Sequence, residues 1–270
     1  MSQYLDWGTE VAREAGAILL RFYDSNMRFE YKSSSTDVDL VTEADRTSEK
    51  HIIERLRGRF PDHDIVAEES GRRDTGSEYR WYIDPLDGTT NFAHRFPVFA
   101  VSLGLERAGQ MIAGIVYDPT RDEMFTSELG AGAYLNNRRI HVSKTPKLQE
   151  SLTATGFPST KRKQNSNIHF YHQVTMASHG VRRPGAAALD LCSVAAGRLE
   201  AFWEFRLSPW DTAAGKLMVE EAGGRISDMH GVGYHFGSES IVASNGLMHA
   251  ELLETFAKIF RGEYAFPLPK

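Results

Sequence analysis

Four acidic residues, Glu68, Asp84, Asp87 and Asp211, each follow directly on an apolar stretch, where a strand or helix would begin or end. Taken singly, each could cap a helix or form a turn, because aspartate favours both. The segment WYIDPLDGTTNF (81–92) is harder to read that way. Pro85 fixes its own φ and pushes Asp84 into an extended conformation. The chain then turns at once, and Gly88 permits close backbone approach. Both carboxylates can point into one pocket, with the Leu86 carbonyl between them. Carboxylates held that close repel each other, and a divalent cation relieves the repulsion. Oxygen-only ligands suit a hard ion, which favours Mg²⁺ over Zn²⁺. If Gly88-Thr89-Thr90-Asn91 open a helix, their free N–H groups make an anion seat that would hold a phosphate against the cation. The Thr89 hydroxyl would then lie where it can orient a water. The competing reading is an ordinary Asp-Gly turn.

The second acidic element is WDTAAGKLMVEEAGG (210–224). Trp210 is a large apolar anchor, and Asp211 is expected at the helix N-cap. There it would bond the first amides with one oxygen and leave the other for a metal. Ala213-Ala214-Gly215 allow the helix to pack close to a neighbour. Glu220 and Glu221, near the other end, read as solvated. Without chemistry, the same stretch is a well-capped core helix.

The elements that must position these acids can be read from periodicity. Val11, Ala15, Ile18, Leu19 and Phe22 fall at helical spacing, so residues 4–23 form an amphipathic helix. The polar KSSSTDVD (32–39) reads as a loop or hairpin tip. Thr42 is a plausible cap for a second helix, on which Ser48, Ile52 and Leu56 share a face before Gly58 and Pro61 close it. Ile65-Val66-Ala67 and Trp81-Tyr82-Ile83 read as strands that deliver Glu68 and Asp84 at their C-terminal ends. Residues 98–141 read as an antiparallel meander. A strand at 151–156, a polar helix at 165–178, a small-residue helix at 185–196 and a strand at 199–205 follow. The Asp211 helix, a strand near 240–244 and a helix near 247–260 finish the chain. Mixed elements in both halves indicate an α+β fold. With no linker visible, the 270 residues read as one unit of two α+β halves, approximately 1–145 and 146–270.

Composition narrows the function further. The formal charge of -5 gives no general attraction to nucleic acid or an anionic membrane. The N-terminus carries charges where a signal peptide needs an apolar core, and no apolar run approaches the ~20 residues of a membrane span. Cys192 is the only cysteine, which excludes an internal disulfide and fits a cytoplasmic setting. Its apolar helical context makes it a poor nucleophile. The ten histidines show no zinc-ligand spacing.

Together these residues resemble the inositol monophosphatase family of Mg²⁺-dependent, lithium-sensitive phosphatases. The family's Asp-Pro-x-Asp-Gly-Thr-x-Asn-Phe matches Asp84 to Phe92. Its Trp-Asp-x-Ala-Ala-Gly and later Glu-Ala-Gly-Gly match Trp210 to Gly215 and Glu221 to Gly224. Glu-Glu-Ser matches Glu68 to Ser70, and Asp-x-Val-Thr-x-x-Asp matches Asp39 to Asp45. The elements stand in the family's order and span most of the chain.

The resemblance implies a layered α-β-α-β-α sandwich of the sugar-phosphatase type, a homodimer, and about two to three Mg²⁺ per site. It implies that Glu68, Asp84, Asp87, Asp211 and the Leu86 carbonyl hold metal, with Asp45 supporting a third, weaker ion. Thr42-Glu43-Ala44-Asp45 is also a capping-box pattern, so the two roles of Asp45 stand side by side. Glu68 and Thr89 would activate water for in-line attack on a phosphate monoester, and the amides of Gly88, Thr89 and Thr90 would hold the phosphate. Glu204, seven residues before Asp211, would bind substrate hydroxyls. On the strand AFWEF it otherwise reads as solvent-facing. Gly185, Ala186 and Ala187 match the small-residue turn that lets the substrate ring approach. Lys32 lies farther upstream than the family's lysine, and Arg182, Arg183 and Arg206 read either as facing substrate or as surface charges. The implied partner is a small phosphorylated polyol or sugar, foremost inositol 1-phosphate, as in bacterial inositol-1-monophosphatases. The alternative is a related phosphatase acting on fructose 1,6-bisphosphate, histidinol phosphate or a 3′-phosphonucleotide.

Overall fold

The computed structural model describes residues 2–24, 29–31, 40–157 and 165–267, with 29–31 and 40–42 described through their backbone. Lys32, Asp39 and the expected 32–39 tip lie outside the described residues, as does the capping role of the Thr42 side chain. The chain begins with α1 (Gln3–Tyr23), the antiparallel pair β1 (Phe29–Tyr31) and β2 (Leu40–Thr42), and α2 (Glu43–Arg59). Next come β3 (Asp64–Ala67), β4 (Gly71–Arg73), β5 (Tyr79–Asp87) and the short α3 (Thr89–Ala93). The expected meander follows as β6 (Ala100–Arg107), β7 (Gln110–Asp118), β8 (Glu123–Glu128), β9 (Gly132–Leu135) and β10 (Arg138–Ile140). The remainder is β11 (Leu152–Thr155), α4 (Asn167–Ala177), β12 (Gly180–Arg182), α5 (Ala187–Ala195), β13 (Ala201–Phe205), α6 (Pro209–Glu221), β14 (Arg225–Ser227), β15 (Ser240–Ser244) and α7 (His249–Phe260).

Two sheets organise the molecule, one of eight strands ordered β10-β9-β8-β7-β6-β5-β3-β4 and one of five ordered β12-β11-β13-β15-β14. Period-2 alternation assigns their faces. On β6, Val101, Leu103 and Leu105 enter a core shared with α1 and α2, while Ala100 faces the core under α5 and α6. On β13, Phe202 faces α5 and α6, whereas Ala201 and Trp203 join Val174 of α4 and Phe256 of α7. The layers therefore run α1/α2, large sheet, α5/α6, small sheet, α4/α7. This is the α-β-α-β-α order expected.

The middle helical layer is thin because its residues are small. A Cβ on Gly104 of β6 would lie 2.7 Å from the Ala213 Cβ of α6. Gly104→Val should therefore force α6 off the sheet and cost about 1–3 kcal/mol or more. A thermal melt checks this; an unchanged midpoint would contradict the close approach.

Two local expectations are corrected. Asp211 is not the N-cap of α6: the helix begins at Pro209 after Ser208, and Asp211 sits in its first turn with Oδ2 accepting from the Ser208 amide at 2.7 Å. Proline fits the first helical position because no amide is needed there, which moves the start two residues upstream of Asp211. Glu221 is not simply solvated. Its carboxylate accepts from the amides of Gly130 and Gly132, both at 2.8 Å, and so ties the β8–β9 turn to α6.

Candidate active site

The acids reach one place because strand ends and helix starts meet there. β3 ends immediately before Glu68, and its parallel neighbour β5 carries Asp84, Leu86 and Asp87. β5 does not stop at Asp84. Its pairing with β6 is interrupted after Asp84↔Ser102 and resumes at Asp87↔Ala100, so Pro85 and Leu86 form a bulge between the two aspartates. Gly88 then takes φ +94, where a Cβ would also strike the Val98 carbonyl at 2.8 Å. Only glycine satisfies both conditions. The first turns of α2 (Asp45), α3 (Thr89), α5 (Ala187) and α6 (Asp211) complete the surround. Helix N-termini carry partial positive charge, so this arrangement favours carboxylates and phosphate alike.

Each aspartate is fixed by a backbone amide. Asp84 Oδ1 accepts from Leu86 N at 3.0 Å. Asp87 accepts from Ala187 N at 3.2 Å and Ala188 N at 2.8 Å, which joins the bulge to the start of α5. Thr89 Oγ1 lies 3.2 Å from Asp45 Oδ1 and 3.1 Å from the Leu86 carbonyl, and its single proton serves one of them at a time. Asp45 is fully buried.

Burial and mutual repulsion raise the carboxyl pKa values. Asp84 is pushed well above the usual range, first by burial and then by the charges of Glu68, Asp87 and Asp211. Burial likewise heads the causes for Asp211, followed by Asp87 and Glu68, even though Asp211 keeps partial exposure. Asp87 rises to about 7 through burial, opposed by the amides of Ala188 and Ala187. Among the described residues, no three acidic, histidine or cysteine side chains are drawn into ready metal-ligand geometry. The carboxylates are nonetheless close enough to perturb one another, and each amide above occupies only part of an aspartate's acceptor capacity. An oxygen-only set of buried and half-buried, mutually repelling carboxylates beside a carbonyl fits a hard divalent cation.

Glu204, on β13, is buried rather than solvent-facing. Its pKa rises to about 8, by burial and then the Asp211 charge, with Arg183 opposing. Strand alternation makes room for it because the neighbouring residue is Gly156, where a Cβ would fall 2.0 Å from Glu204 Oε2.

Several positioning residues escape a reading of sequence alone. Glu49, buried on α2, accepts from the amides of Glu69 and Ser70, both at 2.8 Å, and so holds the turn that presents Glu68. Ser48 Oγ donates to the Pro85 carbonyl at 3.0 Å, bracing the bulge. The Asn91 amide donates to Val98 O and Pro184 O, both at 2.8 Å, linking α3 to the turn before α5. The available signal was polar residues on a helix face otherwise apolar at 52 and 56. Glu49→Gln should lower kcat about 10- to 100-fold with a folded protein, as expected for a residue that orients a ligand. Steady-state rates checked against a thermal melt test this, and an unchanged kcat would remove Glu49 from that role.

Residues 1–262 match the model of the inositol monophosphatase family, and the chain belongs to that family. It is 41% identical over 261 residues to an inositol-1-monophosphatase of Mesorhizobium japonicum, covering 95% of this chain and 97% of the relative. It is 39% identical over 259 residues to a fructose-1,6-bisphosphatase/inositol-1-monophosphatase of Aquifex aeolicus, covering 96% and 97%. The crystal structure of the extragenic suppressor protein suhB from Bartonella henselae superimposes with a TM-score of 0.90 at 40% identity, covering 95% of this chain and 99% of that one. No helix among the described residues is long and apolar enough to cross a membrane.

Proposed function

We propose that this chain is a Mg²⁺-dependent phosphate monoesterase that releases inositol and phosphate from inositol 1-phosphate. The observation that carries the reading is the set of mutually repelling carboxylates Asp84, Asp87 and Asp211, the first two buried and the third partly so, brought together where helix N-termini converge. Glu68, Asp84, Asp87, Asp211 and the Leu86 carbonyl would hold Mg²⁺, with Asp45 supporting a third ion. When bound, Mg²⁺ lowers the pKa of water and neutralises charge on the transferring phosphoryl group.

The protein groups supply the rest. The first amides around the start of α3, at Gly88, Thr89 and Thr90, lack intrahelical acceptors and would hold the phosphate oxygens. Thr89, held between Asp45 and the Leu86 carbonyl, orients the attacking water, and Glu68 takes its proton. Asp211 and Glu204 receive hydroxyls of the polyol, and Ala187 leaves space for its ring. The family resemblance further supports a cytoplasmic homodimer of single-unit subunits.

A panel of phosphate esters assayed with Mg²⁺, with and without lithium, tests the reading. Inositol 1-phosphate should be hydrolysed and lithium should inhibit. A strong preference for fructose 1,6-bisphosphate would move the assignment to the sugar bisphosphatases, and no hydrolysis of any ester would overturn it.

A further inference from the structure

The segment between β14 and β15, residues 228–239, is neither helix nor strand, yet it touches both the strand that carries Asp84 and the helix that carries Asp211. Its base is closed by its own hydrogen bonds. Asp228 Oδ1 accepts from the amides of His230 and Val232, at 2.9 and 2.8 Å, and Asp228 N donates to Val232 O at 2.8 Å. Farther along, Gly233, His235 and Gly237 are exposed, while Tyr234 and Phe236 alternate with them and turn inward. The Tyr234 hydroxyl lies 3.0 Å from Thr212 Oγ1, on α6 and next in sequence to Asp211. Thr212 is fully buried, and its hydroxyl also lies 3.4 Å from the carbonyls of Ser208 and Pro209. With the threonine proton on one of those carbonyls, the tyrosine O–H donates to the threonine oxygen. Two residues on, the Phe236 ring meets Tyr82 of β5, with centroids 4.7 Å apart. Strand alternation puts Tyr82 on the same face as Asp84. The Tyr82 hydroxyl donates to the buried Glu106 at 3.0 Å, which fixes the ring.

One short segment therefore grips both elements. The carboxylates of Asp84 and Asp211 repel each other, which works to separate β5 from the start of α6. A rigid tie between the two resists that separation, so a cation need not draw them together on binding. We propose that Tyr234 is a positioning residue for the metal site, acting through Thr212 to hold the start of α6 where Asp84 and Asp211 can share a divalent cation. This rests on the metal site of the proposed phosphatase and assigns Tyr234 no contact with the phosphate ester.

The test reads Mg²⁺ binding directly, by isothermal titration calorimetry of the full chain, beside thermal melts in chelator. Tyr234→Phe keeps the ring and removes the hydroxyl. Its Mg²⁺ Kd should rise about 2- to 10-fold, the size of one neutral hydrogen bond. The Mg²⁺ concentration for half-maximal activity should rise by the same factor. Thr212→Val should weaken binding similarly, and the double variant no more than either single one, because both break the same contact. Val232→Ala, on the outward side of the segment, should leave the Kd unchanged. A Tyr234→Phe protein that melts lower in chelator but binds Mg²⁺ as tightly as wild type would overturn the inference and leave the proposed function standing. Fully additive losses in the double variant would overturn it too. Weakened binding in Tyr234→Phe, with no ester hydrolysed by wild type, would uphold the positioning role while the proposed function fails. Wild type that binds no Mg²⁺ would remove the two together.

Discussion

Asp87→Asn should reduce kcat/KM for inositol 1-phosphate by on the order of a thousandfold, equivalent to about 4 kcal/mol of transition-state stabilisation. The substitution is nearly isosteric and keeps one acceptor for the amides of Ala187 and Ala188, which both bond the native carboxylate. What it removes is one negative charge from a group that includes Asp84 and Asp211. The metal-free protein should therefore lose at most about 1 kcal/mol from the weakened amide contact, offset by relief of repulsion. Steady-state assays at saturating Mg²⁺, paired with thermal melts in chelator, separate the two effects. Unchanged activity would remove Asp87 from the site, and collapse of the fold would make its role structural.

Stability should respond to pH in a direction that Mg²⁺ reverses. The folded protein holds protons on Asp84, Asp87 and Asp211 at pH values where the unfolded chain has released them. A raised carboxyl pKa contributes stability that is present below the unfolded pKa and lost as pH rises through the folded one, about 7 for Asp87. Chelator-treated protein should thus lose stability from these groups as pH rises above about 4, and from Asp87 up to about pH 7. In the proposed site Mg²⁺ would bind the ionised forms, so its stabilising increment should grow over the same range. His249 works in the opposite sense, because burial between Ser227 and Ser244 lowers its pKa to about 4. Comparing melts with and without Mg²⁺ at each pH cancels that contribution. An increment independent of pH would contradict the carboxylate cluster.

The local parts of this site were legible in the sequence, and the non-local ones were not. Asp84-Pro-Leu-Asp-Gly announces a local break, because Pro85 and Gly88 restrict the backbone within a few residues, but not that the strand runs on through a bulge to Asp87. The strand ending in Ala67 and the strand at 240–244 stand where hydrophobic runs placed them. By contrast, the amides that hold Asp87 lie about a hundred residues away, and no periodicity reports them. Glu49 was hidden for the same reason, since its partners belong to the Glu68-Glu69-Ser70 turn. Gly156 looked like the end of a strand. Its lack of a side chain acquires meaning only when β13 sets Glu204 against it. The short β4, β12 and β14 have three residues each and too little pattern to stand out; they exist because a longer neighbour supplies the pairing.

The most direct measurement is phosphate release from inositol 1-phosphate by protein stripped with a chelator and then titrated with Mg²⁺. Turnover should be undetectable in chelator and return saturably as Mg²⁺ is added. Turnover in chelator equal to that with Mg²⁺ would contradict a metal site built from Glu68, Asp84, Asp87 and Asp211.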